Sequence, residues 1–156
     1  MIIAIKNNSG FTIFELLITI ALLAILGGIA LILMGNPRTF QTIAEAEALR
    51  ANLRFTQAKA MTDLPGNLWS LNITSNNYTI QDNGATPNPA VNLPGSNSGT
   101  YTLPTGLTIT AGTGQIRFNF RGQPVDSGGT PLAADYSLTF NSTQTITITQ
   151  DTGFIP

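Results

Sequence analysis

Glu15 stands at the edge of an uncharged stretch, since no residue from Leu16 to Pro37 carries a charge. As a helix that stretch would run roughly 33 Å, about the apolar thickness of a bilayer. A carboxylate taken into such surroundings costs about 2.5 kcal/mol or more unless a cation meets it, which makes it a functional hypothesis by default. Just upstream lies the Gly10-Phe11 bond. A cut there would free an α-amine at Phe11, and that amine could neutralise Glu15. A carboxylate in the first turn of a helix also suits the macrodipole. The chemistry within reach of these residues is bond cleavage followed by charge pairing.

The rest of the chain offers less. Histidine and cysteine are both absent, which removes the commonest acid–base catalyst, thiol chemistry and disulfide staples. A catalytic or Ca²⁺ site would have to come from Asp82, Asp126, Asp135 and Asp151. These aspartates lie far apart beside turn formers, where Asp caps or tightens a turn. Asp82-Asn83-Gly84 and Asp126-Ser127-Gly128-Gly129 lack the ligand count of a dedicated Ca²⁺ loop. The chain therefore reads as a non-enzyme without metal or cofactor. Arg117 and Arg121, four apart in a segment read as a strand, would share one face opposite Ile116, Phe118 and Phe120. Two cations neutralise only about two phosphates, so they support weak, salt-sensitive nucleic-acid contact, and a solvated strand face is the plain alternative.

The elements that must position these residues follow from composition. Seven basic and eight acidic residues leave a net charge of −1, too little to attract a polyanion or an anionic membrane globally. Charge is densest over residues 38–63, which hold Arg38, Glu45, Glu47, Arg50, Arg54, Lys59 and Asp63, and residues 64–156 are rich in Thr, Asn, Gly and Pro. Ile43, Ala46, Leu49, Leu53, Thr56 and Ala60 recur at helical steps, the apolar stripe of an amphipathic helix that Leu64-Pro65-Gly66 ends. Glu47 and Arg50, and Lys59 and Asp63, are spaced to pair along it.

Beyond residue 66 the period is two. Trp69 to Ile73 with Tyr78 to Ile80, and Tyr136 to Phe140 with Thr145 to Thr149, read as hairpins; residues 82–100 read as a long polar loop. The expected fold is α+β, a long N-terminal helix packed on a small antiparallel β-sheet domain. The segments are a leader at 1–10, a membrane half of the helix at 11–37, an amphipathic half at 38–64 and a β domain at 65–156. Gly27-Gly28 and Gly35-Asn36-Pro37 predict a bend or melted turn between the halves.

Gly10-Phe11-Thr12-Ile13-Phe14-Glu15 resembles the processing site of type IV prepilins and type II secretion pseudopilins. The resemblance implies a pilin-like fold and a prepilin peptidase that cuts between Gly10 and Phe11 and methylates the Phe11 amine. It implies that Glu15 pairs with the Phe11 amine of a neighbouring subunit during assembly. The implied partners are that peptidase, other pilins or pseudopilins and an inner-membrane assembly platform. The implied location is a single pass of the bacterial inner membrane with a periplasmic C-terminal domain, and then a pilus or pseudopilus. Two plainer alternatives are a secretory signal with Gly28-Ile29-Ala30 as its cleavage site, and a simple membrane anchor. Many family members carry a proline near the position of Ala30 to Ile32; its absence here leaves the usual kink position open.

Residues 48–60, Ile116 to Gly122 and Ile146 to Gly153 resemble the FimT/GspH group of minor pseudopilins. That implies a tip or initiation role. The alternative it carries is a DNA-binding minor pilin for DNA uptake, with Arg117 and Arg121 as candidate contacts, although Asp151 to Pro156 has no cation.

Overall fold

The computed structural model describes residues 11–33, 37–84 and 89–156, the side chains of 30–33 and 37 aside. The expected leader 1–10, including Gly10, and the Gly35-Asn36 pair lie outside the described residues. The chain divides into two units, Met1–Thr39 and Phe40–Pro156.

The first unit contains α1 (Ile13–Leu33). Leu, Ile and Ala dominate it, good helix formers or strongly apolar residues that no proline interrupts. Gly27 and Gly28 do not break it, and a Cβ at either would meet nothing within 4 Å. The chain is thus not melted at those glycines, where the flanking residues outweigh a local cost of about 1 kcal/mol per glycine, and residues 34–36 of the segment expected to bend or melt lie outside the described residues. Every side chain described from Phe11 to Ile29 is exposed. Among the described residues no helix is long and apolar enough to cross a membrane.

α2 (Pro37–Thr62) belongs from Phe40 onward to the second unit. Pro37, expected to interrupt a helix, instead opens this one, at the first helical position where its missing N–H costs nothing. Thr42, Ala46, Leu49, Leu53, Thr56 and Ala60 form its buried face. Ile43, expected in that stripe, is 41% exposed, and its neighbour Thr42 takes the inward position. Thr56 can be buried because its hydroxyl donates to the Asn52 carbonyl at 2.8 Å.

Nine antiparallel strands follow among the described residues: β1 (Trp69–Ile73), β2 (Asn77–Asp82), β3 (Ala90–Val91), β4 (Thr100–Thr102), β5 (Ile109–Ala111), β6 (Gly114–Phe118), β7 (Pro124–Val125), β8 (Tyr136–Phe140) and β9 (Gln144–Ile148). A six-stranded sheet runs β3-β2-β1-β6-β7, with β4 also paired to β2; a three-stranded sheet runs β5-β8-β9. Both expected hairpins are present, with Leu71 opposite Ile80 and Leu138 opposite Ile146. Asn141 and Ser142, at φ 43° and 57°, begin the connection from Phe140 to its partner Gln144, and the Thr143 N–H closes the turn on the Phe140 carbonyl at 2.8 Å. The long loop read at 82–100 contains β3 and reaches β4, so part of it is sheet.

Side chains from α2 and from both sheets share one core. Leu49 and Leu53 belong to the same buried cluster as Leu71, Tyr78 and Phe118 of the larger sheet and Leu138, Phe140 and Ile146 of the smaller. The Tyr78 hydroxyl accepts from Asn52 at 2.9 Å, and Tyr101 donates to Glu45 at 3.0 Å, so the helix is tied to β2 and β4 as well as packed on them. Burial raises the Tyr78 phenol well above its ordinary value.

Candidate functional site

Thr12 organises the entrance of α1. Its hydroxyl accepts the Glu15 N–H at 3.2 Å, and its carbonyl accepts the Leu16 N–H at 3.1 Å. Thr12 is thus the N-cap and Glu15 the third helical residue, the Thr-x-x-Glu spacing of a capping box. The Thr12-x-x-Glu15 spacing is the signal in the sequence that marks this cap. The cap fixes Glu15 in the first turn, beside the positive end of the helix.

The Glu15 side chain is exposed, and among the described residues it has no hydrogen-bond or ion-pair partner. Phe11 is 80% exposed. An ammonium on Phe11 would sit next to the same positive helix end, which disfavours it until a carboxylate neutralises it. The entrance therefore holds an exposed carboxylate, and a cut of the Gly10-Phe11 bond would add an amine able to pair with one. Gly10 itself lies outside the described residues.

The arginine pair comes out differently from its expected geometry. β6 ends at Phe118, so Arg117 is on the strand and Arg121 lies past it in the turn toward β7. The side chain of Asn119 causes this: its carbonyl oxygen accepts the N–H of Arg121 at 2.9 Å and of Gln123 at 3.1 Å. Gly122, at φ +77°, completes the turn. The four-residue spacing thus stops placing both guanidinium groups on one face. Arg117 donates to Gln115, whose amide in turn reaches Ser70 at 2.7 Å. Phe120 rides on the turn at 40% exposed instead of joining Phe118 in the core, with the Arg121 guanidinium 5.2 Å from its ring.

Carboxylates of the second unit serve local structure. Asp82 accepts the Gly84 N–H at 2.9 Å, and Asp126 accepts those of Gly128 at 2.8 Å and Thr130 at 2.9 Å. Asp135 accepts the Gln150 N–H at 2.9 Å. Among the described residues no group of three or more acidic side chains could hold a metal ion. Glu47 pairs with Arg50 as its spacing predicts. Lys59 instead lies over the rings of Phe55 and Trp69, at 5.6 and 5.9 Å, while Asp63 accepts the Trp69 indole N–H at 2.8 Å. That indole hydrogen bond, with a second from the Leu64 N–H, holds the Asp63 carboxyl below its usual range.

One junction was invisible in the sequence. The Gln57 side-chain amide donates to the carbonyls of Gly122, at 2.7 Å, and Gly153, at 2.8 Å. Gly122 belongs to the turn leaving β6 and Gly153 to the turn after β9, so one side chain of α2 clasps both sheets. A Cβ on Gly153 would stand 1.9 Å from the Gly122 carbonyl oxygen, which only glycine allows. Arg54 adds a hydrogen bond to the Ile155 carbonyl at 2.8 Å, and Gln123 one to the Asp151 carbonyl at 2.8 Å. Beside this clasp opens a groove of about 660 Å³, walled in part by Arg54, Met61, Arg121 and Phe154.

No curated protein and no solved structure matches the chain. A family model does: residues 5–31 match the prokaryotic N-terminal methylation motif. The matched residues contain Gly10, Phe11 and Glu15 and most of α1. The match supports a type IV pilin-like precursor and implies processing by a prepilin peptidase and assembly with other pilins.

Proposed function

We propose that this chain is a minor pilin or pseudopilin of the FimT/GspH kind, cut between Gly10 and Phe11, methylated on the Phe11 amine and built into a type II secretion pseudopilus or a type IV pilus. It acts at the tip or in initiation. The observation that carries the reading is the methylation motif lying over a capped helix whose described side chains are apolar and exposed almost all round. Such a helix needs an apolar surrounding that its own unit does not supply. A single pass of the inner membrane before assembly, and neighbouring helices afterwards, would provide it, with the β domain in the periplasm. Glu15 then guides docking through the Phe11 amine of a neighbouring subunit. The second unit is non-catalytic and needs no cofactor.

Mass analysis of the mature N-terminus tests this directly. The expected chain begins at Phe11 and carries one added methyl group. A chain beginning after Ala30, or one retaining Met1, would sink the proposal. Glu15→Ala should insert normally yet fail to enter filaments.

A second reading, DNA binding for uptake, draws support from Arg121, whose guanidinium lies on exposed Phe120 with no acid partner among the described residues. It requires a salt-sensitive shift of duplex DNA that is lost in the Arg117→Ala, Arg121→Ala double variant. No shift at low salt ends it.

A further inference from the structure

We propose that the groove beside the Gln57 clasp is a docking site for an acidic peptide segment of a partner protein, with a carboxylate received by Arg54 and Arg121 and an adjoining apolar side chain laid against Met61 and Phe154. This concerns the second unit alone and does not rest on how the N-terminus is processed.

Charge complementarity chooses the occupant. Arg54 and Arg121 line the same groove, and neither has an acidic partner among the described residues. Arg54 is held by a backbone carbonyl, which orients its guanidinium and leaves its charge uncompensated. Arg121 is held over the Phe120 ring in the same way. A planar guanidinium with free N–H groups takes a carboxylate in a fork, and two at one site favour it further.

The apolar component is equally local. Met61 is 56% exposed, Phe120 40% and Phe154 62%, three of the second unit's large exposed apolar side chains gathered around one turn. The clasp holds their backbone, so the wall exists before a partner arrives, and pre-organisation of that kind favours binding. Aromatic, Met and Arg side chains together are the composition of an interface centre. A polyanion fits less well. Two arginines meet about two phosphates, and the chain's net charge of −1 adds no attraction.

The test uses the full chain in detergent micelles, labelled with ¹⁵N, and a peptide pair: acetyl-Leu-Asp-Phe-Asp-amide and its neutral Asn counterpart. The acidic peptide should shift the signals of Arg54, Arg121 and Phe154 saturably, and the neutral peptide should bind at least about tenfold more weakly. Arg121→Gln should weaken the acidic peptide about tenfold. Thr152→Glu, which sets a carboxylate on the groove wall and leaves both arginines in place, should weaken it as well. Absence of saturable shifts, equal response to both peptides, or insensitivity to both variants overturns the proposal. A ten-nucleotide oligo-dT that shifts the same signals at lower concentration than the peptide overturns it too, in favour of nucleic acid.

Discussion

The two helices of this chain answer opposite questions. α1 is apolar on nearly every side, and each of its described side chains is exposed. α2 is polar on most of its surface and buries one stripe, with Leu49, Leu53, Thr56 and Ala60 fully covered by the sheets. The apolar stripe of α2 is covered by the sheets of its own unit, whereas the apolar side chains described on α1 are left exposed. A helix's apolar pattern thus states where its partner is, whether in the same chain or outside it.

Substitutions in matched positions break or sharpen this contrast. Leu53→Ala opens a cavity in the shared core and should cost the second unit about 2–5 kcal/mol, read by thermal or denaturant unfolding. Leu22→Ala in α1 should leave that transition where it is; an equal loss would mean that the helices are not independent in the way described.

Gln57→Ala removes both carbonyl contacts of the clasp and should cost about 1–3 kcal/mol in the same measurement. Its effect belongs to α2 alone, since α1 has no long-range hydrogen bond among the described residues. Thr12→Ala should weaken α1 by about 1 kcal/mol through its lost cap, seen as faster amide exchange at Glu15 and Leu16 with the second unit unchanged.

The smallest effect concerns acid. Asp63 has a lowered folded-state pKa, so the stability it contributes is present above its unfolded value near 3.8 and is lost as pH falls through the folded value. Wild type and Asp63→Asn should differ in unfolding midpoint at neutral pH and converge as the pH falls through the lowered folded value. A gap that persists there would mean that the Trp69 contact does not depend on the charge.

What could be read in advance followed from local pattern. The α2 stripe, both hairpins and the Asn141-Ser142 turn depend on neighbours within a few residues, and periodicity carries that information. Errors arose where side chains redirected the backbone. Asn119 ended β6 early, moving Phe120 and Arg121 off the strand, and at the head of the stripe Thr42, four residues before Ala46, is buried in place of Ile43, three before it. Thr12 was legible as a cap. The groove was not legible at all. Its walls come from α2, the β6–β7 turn and the residues after β9, and only the folded chain brings Gly122 and Gly153 to one glutamine.

The clasp also sets a schedule. Gln57 waits for a carbonyl 96 residues further along, and Arg54 for one 101 residues away. Contacts of such separation close late, after the entropy of a long loop has been overcome. While the chain is being made, α2 can form, but these fastenings to it wait until residue 155 is present.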